Sequence, residues 1–173
     1  MIYCCTLLWD PNPVIFMEHK LIYKIKDNVE LNDIPKESSM LGKANLIKEG
    51  NDMTIVAYSN MVNVAKEAIA AEELQNCSIE LIDLQTVSPI DYDTIKNSLK
   101  KTKRLLVCQE APSNSSVGTT VISKIVESEL FHELEVAPKL VSGLHSPMPS
   151  AKHLELNVIP QAEDITNAVK SML

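Results

Sequence analysis

Residues 54–84 read TIVAYSNMVNVAKEAIAAEELQNCSIELIDL, and the fold class follows from them. The stretch opens on Thr54–Tyr58, TIVAY, a short apolar run of strand composition. Ser59 or Asn60 then supplies an N-cap for a helix expected to run to about Leu74, with Val62, Ala65 and Ile69 on its buried face. Ser78–Leu84, SIELIDL, returns to strand character. Strand, helix and strand in that order require a crossover connection, which sets the two strands parallel.

The same alternation extends outward. Upstream, Ala44–Ile47 reads as a strand, and the turn Glu49-Gly50-Asn51-Asp52 predicts an antiparallel hairpin between it and TIVAY. Downstream, Asp91 and Asp93 open a helix carrying Ile95 and Leu99, and Lys100, Lys101 and Lys103 gather at its end, as the helix dipole favours. Arg104–Cys108, RLLVC, reads as a central strand, followed by a helix with Val121, Ile122, Ile125, Val126 and Leu130 on its apolar face. Lys139–Val141 is a brief strand, and a last helix from about Ala162 carries Ile165, Val169, Met172 and Leu173, with Glu163 and Asp164 in its first turn. These elements define one α/β domain over residues 42–173, a mostly parallel sheet with helices on both faces. Before it lie a lone strand at Val14–Met17 and a polar, aperiodic stretch, Lys24–Ser39, that reads as an extended surface linker.

Composition narrows the function classes. The 173 residues suffice for one domain with an appendage, and an apolar fraction of 45% is too high for disorder. With 16 basic against 23 acidic side chains the net charge is −7, which argues against a nucleic-acid partner. The opening MIYCCTLLWD lacks a basic n-region and a small-residue cleavage site, and no window approaches a membrane span, so neither secretion nor a membrane is expected. The adjacent Cys4 and Cys5 have no zinc-type spacing, and Cys77 and Cys108 read as reduced, buried thiols.

No residue pattern declares a catalytic centre. The strand-to-helix junction Ala57-Tyr58-Ser59-Asn60 has no glycine, and neither a dinucleotide fingerprint nor a phosphate loop occurs. Gly118, in SNSSVGTT, stands at a helix start where amides could meet an anion, but a simple turn is the stronger reading and no phosphate site is declared. Glu110 follows RLLVC at the position of a carboxyl-end crevice, and Asp83 and Asp91 flank a strand-to-helix loop, but none has a partner carboxylate at a diagnostic spacing. Of the histidines, His19 follows the lone strand and His132 reads as solvated or capping at a helix end. His145 and His153 bracket the rigid Ser146-Pro147-Met148-Pro149 segment, which reads as an ordered loop or partner contact rather than as a metal site or a Ser–His pair.

Four segments taken in order, PNPVIFMEHKLIY (11–23), LGKANLIKEGNDMTIVAYSNMV (41–62), IELIDLQTVSPIDYDTIKNSLKKTKRLLVCQEA (79–111) and HSPMPSAKHLELNVIPQAEDI (145–165), carry a resemblance over nearly the whole chain. It resembles the C-terminal half of the E1 beta subunit of thiamine-diphosphate-dependent 2-oxoacid dehydrogenases, the pyruvate, acetoin and branched-chain group. The resemblance implies a transketolase C-terminal fold, a three-layer α/β/α sandwich with one antiparallel edge strand. It implies that residues 1–17 are the end of a preceding pyrimidine-binding domain, 18–41 the connection and 42–173 the C-terminal domain.

In that family thiamine diphosphate and Mg²⁺ are held by the preceding domain and by the alpha subunit, so no catalytic, cofactor-binding or metal residue is carried over onto this chain, which alone is expected to be inactive. The implied partners are an E1 alpha subunit, a second E1 beta subunit and the subunit-binding domain of the E2 acyltransferase. The carry-over for docking falls on His145, Ser146, Pro147, Met148 and Pro149, on Glu155, and on the C-terminal helix ending at Leu173. Pyruvate is the first substrate expectation, acetoin the second and branched-chain acids the third. A non-catalytic interaction module is the alternative reading, and transketolase or deoxyxylulose-phosphate synthase fits the IDL-TVSPID and HSPMP segments less well. The compartment implied is the bacterial cytoplasm or a mitochondrial or plastid matrix. Two departures stand out: Gln85 replaces the arginine of the family's LRT, and residues 112–120 contain one glycine where the family is glycine-rich.

Overall fold

A computed structural model describes Pro13, residues 19–26 and residues 42–173. The strand expected at Val14–Met17, the Cys4–Cys5 pair and most of the expected linker lie outside the described residues. Within them, β1 (Asn45–Lys48), β2 (Met53–Ala57), β3 (Ile79–Asp83), β4 (Leu105–Pro112) and β5 (Lys139–Gly143) form one sheet in the order β1-β3-β2-β4-β5. Pairs β2–β3, β2–β4 and β4–β5 are parallel, and β1 runs antiparallel to β3 at the edge. Helices α1 (Met61–Ala70), α2 (Tyr92–Thr102), α3 (Val117–Val126), α4 (Lys152–Glu155) and α5 (Ala162–Lys170) complete it.

Strand alternation builds two cores. Met53, Ile55 and Ala57 of β2 with Leu106 and Cys108 of β4 face α1 and α5, whose Val62, Ala65, Ile69, Ile165 and Val169, with Met172 just beyond α5, close that side. Val56, Leu105 and Val107 point the other way, onto Ile95 and Leu99 of α2 and Val121 and Ile125 of α3. The three-layer sandwich with one antiparallel edge strand is therefore present as expected.

The hairpin expected between β1 and β2 is corrected. The two strands run antiparallel but are not neighbours, because β3 lies between them. The connecting turn crosses the amino end of β3, where the N–H groups of Asn51 and Asp52 both donate to Ser78 O at 2.8 Å. Other differences are local. The first helix stops at Ala70 and a separate 3-10 turn, Glu72–Leu74, buries Leu74. Val126 and Leu173 are exposed, as each falls at or beyond the last turn of its helix, where the buried stripe has rotated away. Cys108 is fully buried and burial pushes its thiol well above the ordinary range, whereas Cys77 is only half-buried. Lys20–Lys24 forms a 3-10 turn at the head of the expected linker.

Two buried carboxylates pin the elements. Glu80 of β3 accepts from Lys101 Nζ at 2.5 Å and from Gly50 N–H at 3.2 Å, tying the crossing turn to α2. Asp91 caps α2 through Thr94 N–H at 3.2 Å and accepts from Ala44 N–H at 3.1 Å, fixing the entry to β1. Burial raises both carboxyls, but for Glu80 the bonds from Lys101, Ser98 and Gly50, and for Asp91 those from Ala44 and Thr94, outweigh it and hold each below its ordinary range. The stability each contributes is complete above the unfolded value, about 4, and is lost as pH falls through the folded one. Denaturant midpoints are therefore expected to fall steeply below about pH 4. Glu80→Gln should flatten that limb; an unchanged acid limb would refute the assignment.

Candidate functional site

The parallel strands β2 and β3 end together, Ala57 being in register with Asp83, while β4, whose Cys108 pairs with Ala57 on the other side, runs on to Pro112. Tyr58, Ser59 and Asn60, which follow β2, and Glu110, on the part of β4 that runs past its neighbours, gather at the carboxyl edge, where open α/β sheets bind ligands. Glu110 is central here, as its position in the sequence suggested. Its Oε2 lies 3.1 Å from His19 Nε2 and its Oε1 accepts from Asn60 Nδ2 at 3.4 Å. The turn at residues 19–24 and the segment 152–161 rise on either side of Glu110 to form a cleft of about 520 Å³. His19, Lys20 and Leu21 make one wall, and Lys152, Glu155, Leu156 and Gln161 belong to the other.

The histidine's tautomer follows from its bonds. Leu21 N–H donates to His19 Nδ1 at 3.3 Å, so Nδ1 carries the lone pair and Nε2 carries the proton donated to Glu110. Nearby, burial and then the Glu110 charge push the Tyr58 hydroxyl up, and burial raises Asp83 against the bond from Gln85 N–H and the charge of Lys66. Ser59 sits at the strand-to-helix turn with φ +56°, a left-handed conformation that in hydrolases presents a nucleophile. Here the ring nitrogens of His19 are engaged by Glu110 and Leu21, so Ser59, His19 and Glu110 do not assemble into a triad.

The other sequence candidates separate. Asp91 is a structural cap, as above. His132 is exposed and stacks edge-on against Phe131, with ring centroids 5.6 Å apart. His145 and His153 are both exposed, and Ser146 Oγ donates to Pro147 O rather than to a histidine. Gly118 offers no anion site: its N–H donates to Gln109 Oε1 at 2.7 Å, and a Cβ there would stand 2.5 Å from Leu140 Cδ1. The glycine lets α3 pack closely on the Leu140 and Gln109 side chains of the sheet. Neither Gln109 nor the His19–Glu110 pair was visible beforehand; the pair spans 91 residues and no local spacing encodes it.

The docking candidates fall at two ends of the domain. The loop at 144–150 is largely exposed, with Leu144 at 57% and Met148 at 55%, and Glu155 lines the cleft. Helix α5 starts beside that cleft at Gln161 and runs back along the sheet, so Lys139 Nζ, at the start of β5, meets Ser171 Oγ at 2.7 Å. Leu173 is therefore at the amino edge, opposite the loop.

The arrangement does not fit a diphosphate–Mg²⁺ site. Mg²⁺ takes oxygen ligands in a near-octahedral set, and among the described residues no group of three or more His, Cys, Asp or Glu is placed to hold a metal. The cleft floor offers one carboxylate, already engaged by His19 and Asn60. No helix among the described residues is long and apolar enough to cross a membrane.

A mixed sheet in this order, with its crevice at the carboxyl edge and helices on both faces, defines a class, and residues 42–165 match the family described as Transketolase, C-terminal domain. The chain belongs to that family. Among curated proteins it is 40% identical over 171 residues to the pyruvate dehydrogenase E1 component subunit beta of Rickettsia bellii, covering 96% of this chain and 50% of that protein. The corresponding subunit of Acholeplasma laidlawii is 37% identical over 94% of this chain and 49% of its own length, and the mitochondrial one of Pisum sativum 36% over 93% and 45%. The chain thus spans about half the length of the curated relatives it matches. Among solved structures, a split-gene transketolase described as an inactive beta4 tetramer superposes with a TM-score of 0.66 at 25% identity, covering 80% of this chain and 45% of that one.

Proposed function

We propose that this chain is the C-terminal portion of the E1 beta subunit of a pyruvate-type 2-oxoacid dehydrogenase, and that it serves assembly and docking rather than the chemical step. The supporting observation is the near-complete match of the chain to half of a pyruvate dehydrogenase E1 beta subunit. In this reading residues 1–17 close a preceding pyrimidine-binding domain and residues 18–41 connect it to this one. Thiamine diphosphate and Mg²⁺ belong to that preceding domain and to an E1 alpha subunit. They supply the decarboxylation chemistry, and this chain holds its neighbours in place around them.

The carboxyl edge, with its cleft and the exposed Leu144 and Met148, faces the alpha subunit or the preceding domain. The amino edge bearing Leu173 is a separate contact, and an E2 subunit-binding domain docks at one of the two edges, not across both.

The test is reconstitution. Mixed with an E1 alpha subunit, a fragment supplying the remaining half of E1 beta, and thiamine diphosphate with Mg²⁺, the chain is expected to restore decarboxylation of pyruvate. Turnover with acetoin instead would reassign the substrate. Binding to E2 with no turnover on any 2-oxoacid or acetoin would replace the enzyme reading with that of an interaction module.

A further inference from the structure

Strands β4 and β5 fall out of step at the carboxyl edge. From Cys108 to Pro112 β4 advances four residues, while its partner advances only two, from Val141 to Gly143. The surplus makes a β-bulge, which interrupts the ladder, bends the strand and re-aims a side chain. Glu110 sits at its centre, and its carboxylate meets the cleft floor beside Asn60. One side chain spans the interruption. Gln109, fully buried, donates from Nε2 to Ala111 O at 2.9 Å and to Pro112 O at 3.1 Å. Its Oε1 accepts from Gly118 N–H at 2.7 Å, in the first turn of α3. Only this orientation of the amide works, since the reverse would set an oxygen against two carbonyls and an N–H against an N–H. Two glycines make the room. A Cβ at Gly118 would stand 2.6 Å from Gln109 Oε1, and one at Gly143 2.2 Å from Glu110 O.

We propose that Gln109 is a positioning residue: by bracing the β4 bulge against α3, it aims the Glu110 carboxylate into the carboxyl-edge cleft. The amide suits this task because it donates twice and accepts once without bringing a charge into the buried layer. A carboxylate in its place has no N–H to give, and an apolar side chain leaves the Gly118 N–H without its acceptor. Without the brace the bulge relaxes and Glu110 withdraws from Asn60. Both cores persist, because neither is built on Gln109.

Tyr58 reports where Glu110 stands. Its hydroxyl is held above the ordinary range by burial first and by the Glu110 charge second, so withdrawal of that charge lowers its titration midpoint. Carbon-13 labelling of the tyrosines reads that midpoint in the full 173-residue chain. Glu110→Gln sets the reference shift. Gln109→Met, close to the parent in length and volume, is expected to lower the Tyr58 midpoint by about half as much or more. Amide exchange at Gly118 should quicken about tenfold in the same variant. Val121→Ala, which opens a cavity under α3, should lower the urea midpoint and move neither signal. In the parent, the Gln109 side-chain protons should exchange about tenfold or more slower than those of an exposed glutamine, a reading that needs no variant. An unmoved Tyr58 in Glu110→Gln or in Gln109→Met, an equal shift in Val121→Ala, or unprotected Gln109 side-chain protons would overturn the assignment.

Discussion

Deleting residues 162–173 is expected to unfold the domain, because the segment removes Ile165, Val169 and Met172 from the core shared with α1 and β2. Full burial of three such side chains is worth about 5 to 9 kcal/mol. That is comparable to the whole stability of a domain of this size, about 5 to 15 kcal/mol. The deletion also strips the Lys170–Glu73 ion pair and the Ser171 partner of Lys139, although these exposed contacts add little. Far-ultraviolet circular dichroism and urea titration would register the loss as a collapsed or absent cooperative transition. A deleted chain retaining the parent's midpoint and slope would refute the packing assignment.

The same argument governs how docking at Leu173 is to be tested. Loss of E2 binding after removing the helix would follow from unfolding alone. Removing only Leu173, which is 48% exposed, leaves the core intact and isolates the contact.

The fold was largely legible because each element announces itself locally. Thr54–Ala57 alternates faces between two cores, Asp91 stands where a cap must stand, and Ile95 with Leu99 makes a stripe that only one packing direction buries. The misplaced hairpin shows where local signals end. A turn such as Glu49–Asp52 has the same composition whether it closes a hairpin or crosses the end of a third strand. Here the choice is made by Ser78 and Glu80, nearly thirty residues on, which bind the turn's N–H groups and insert β3.

Glu110 could be placed at the crevice from its position after RLLVC, since that depends only on strand direction. Its partner could not, as His19 reaches it through chain topology alone. The docking residues were likewise each visible as exposed or terminal, yet their separation depends on α5 running antiparallel to β5, which periodicity does not report.

Gly143 couples the fold to the cleft, and its replacement is the other change expected to have a large effect. It ends β5 opposite Pro112, just past the place where the β4–β5 register shifts. It is buried there, and a Cβ would overlap the carbonyl oxygen of Glu110 and approach Val158 O at 3.3 Å. Both neighbours are backbone: one belongs to β4, and the other accepts Leu144 N–H at 3.0 Å, so neither gives way as a flexible side chain would. Gly143→Ala is expected to destabilise by about 1 to 3 kcal/mol and Gly143→Val by about 3 kcal/mol or more, the range for overpacking against an unyielding wall. The displacement also falls on Glu110 itself. Relief of the clash moves the end of β4 away from β5 and so shifts the carboxylate that His19 grips. Urea midpoints should therefore drop in the order parent, Ala, Val. A midpoint for Gly143→Val within experimental error of the parent would mean that the β4–β5 junction is looser than its contacts indicate, and that the cleft floor is not held by the sheet beneath it.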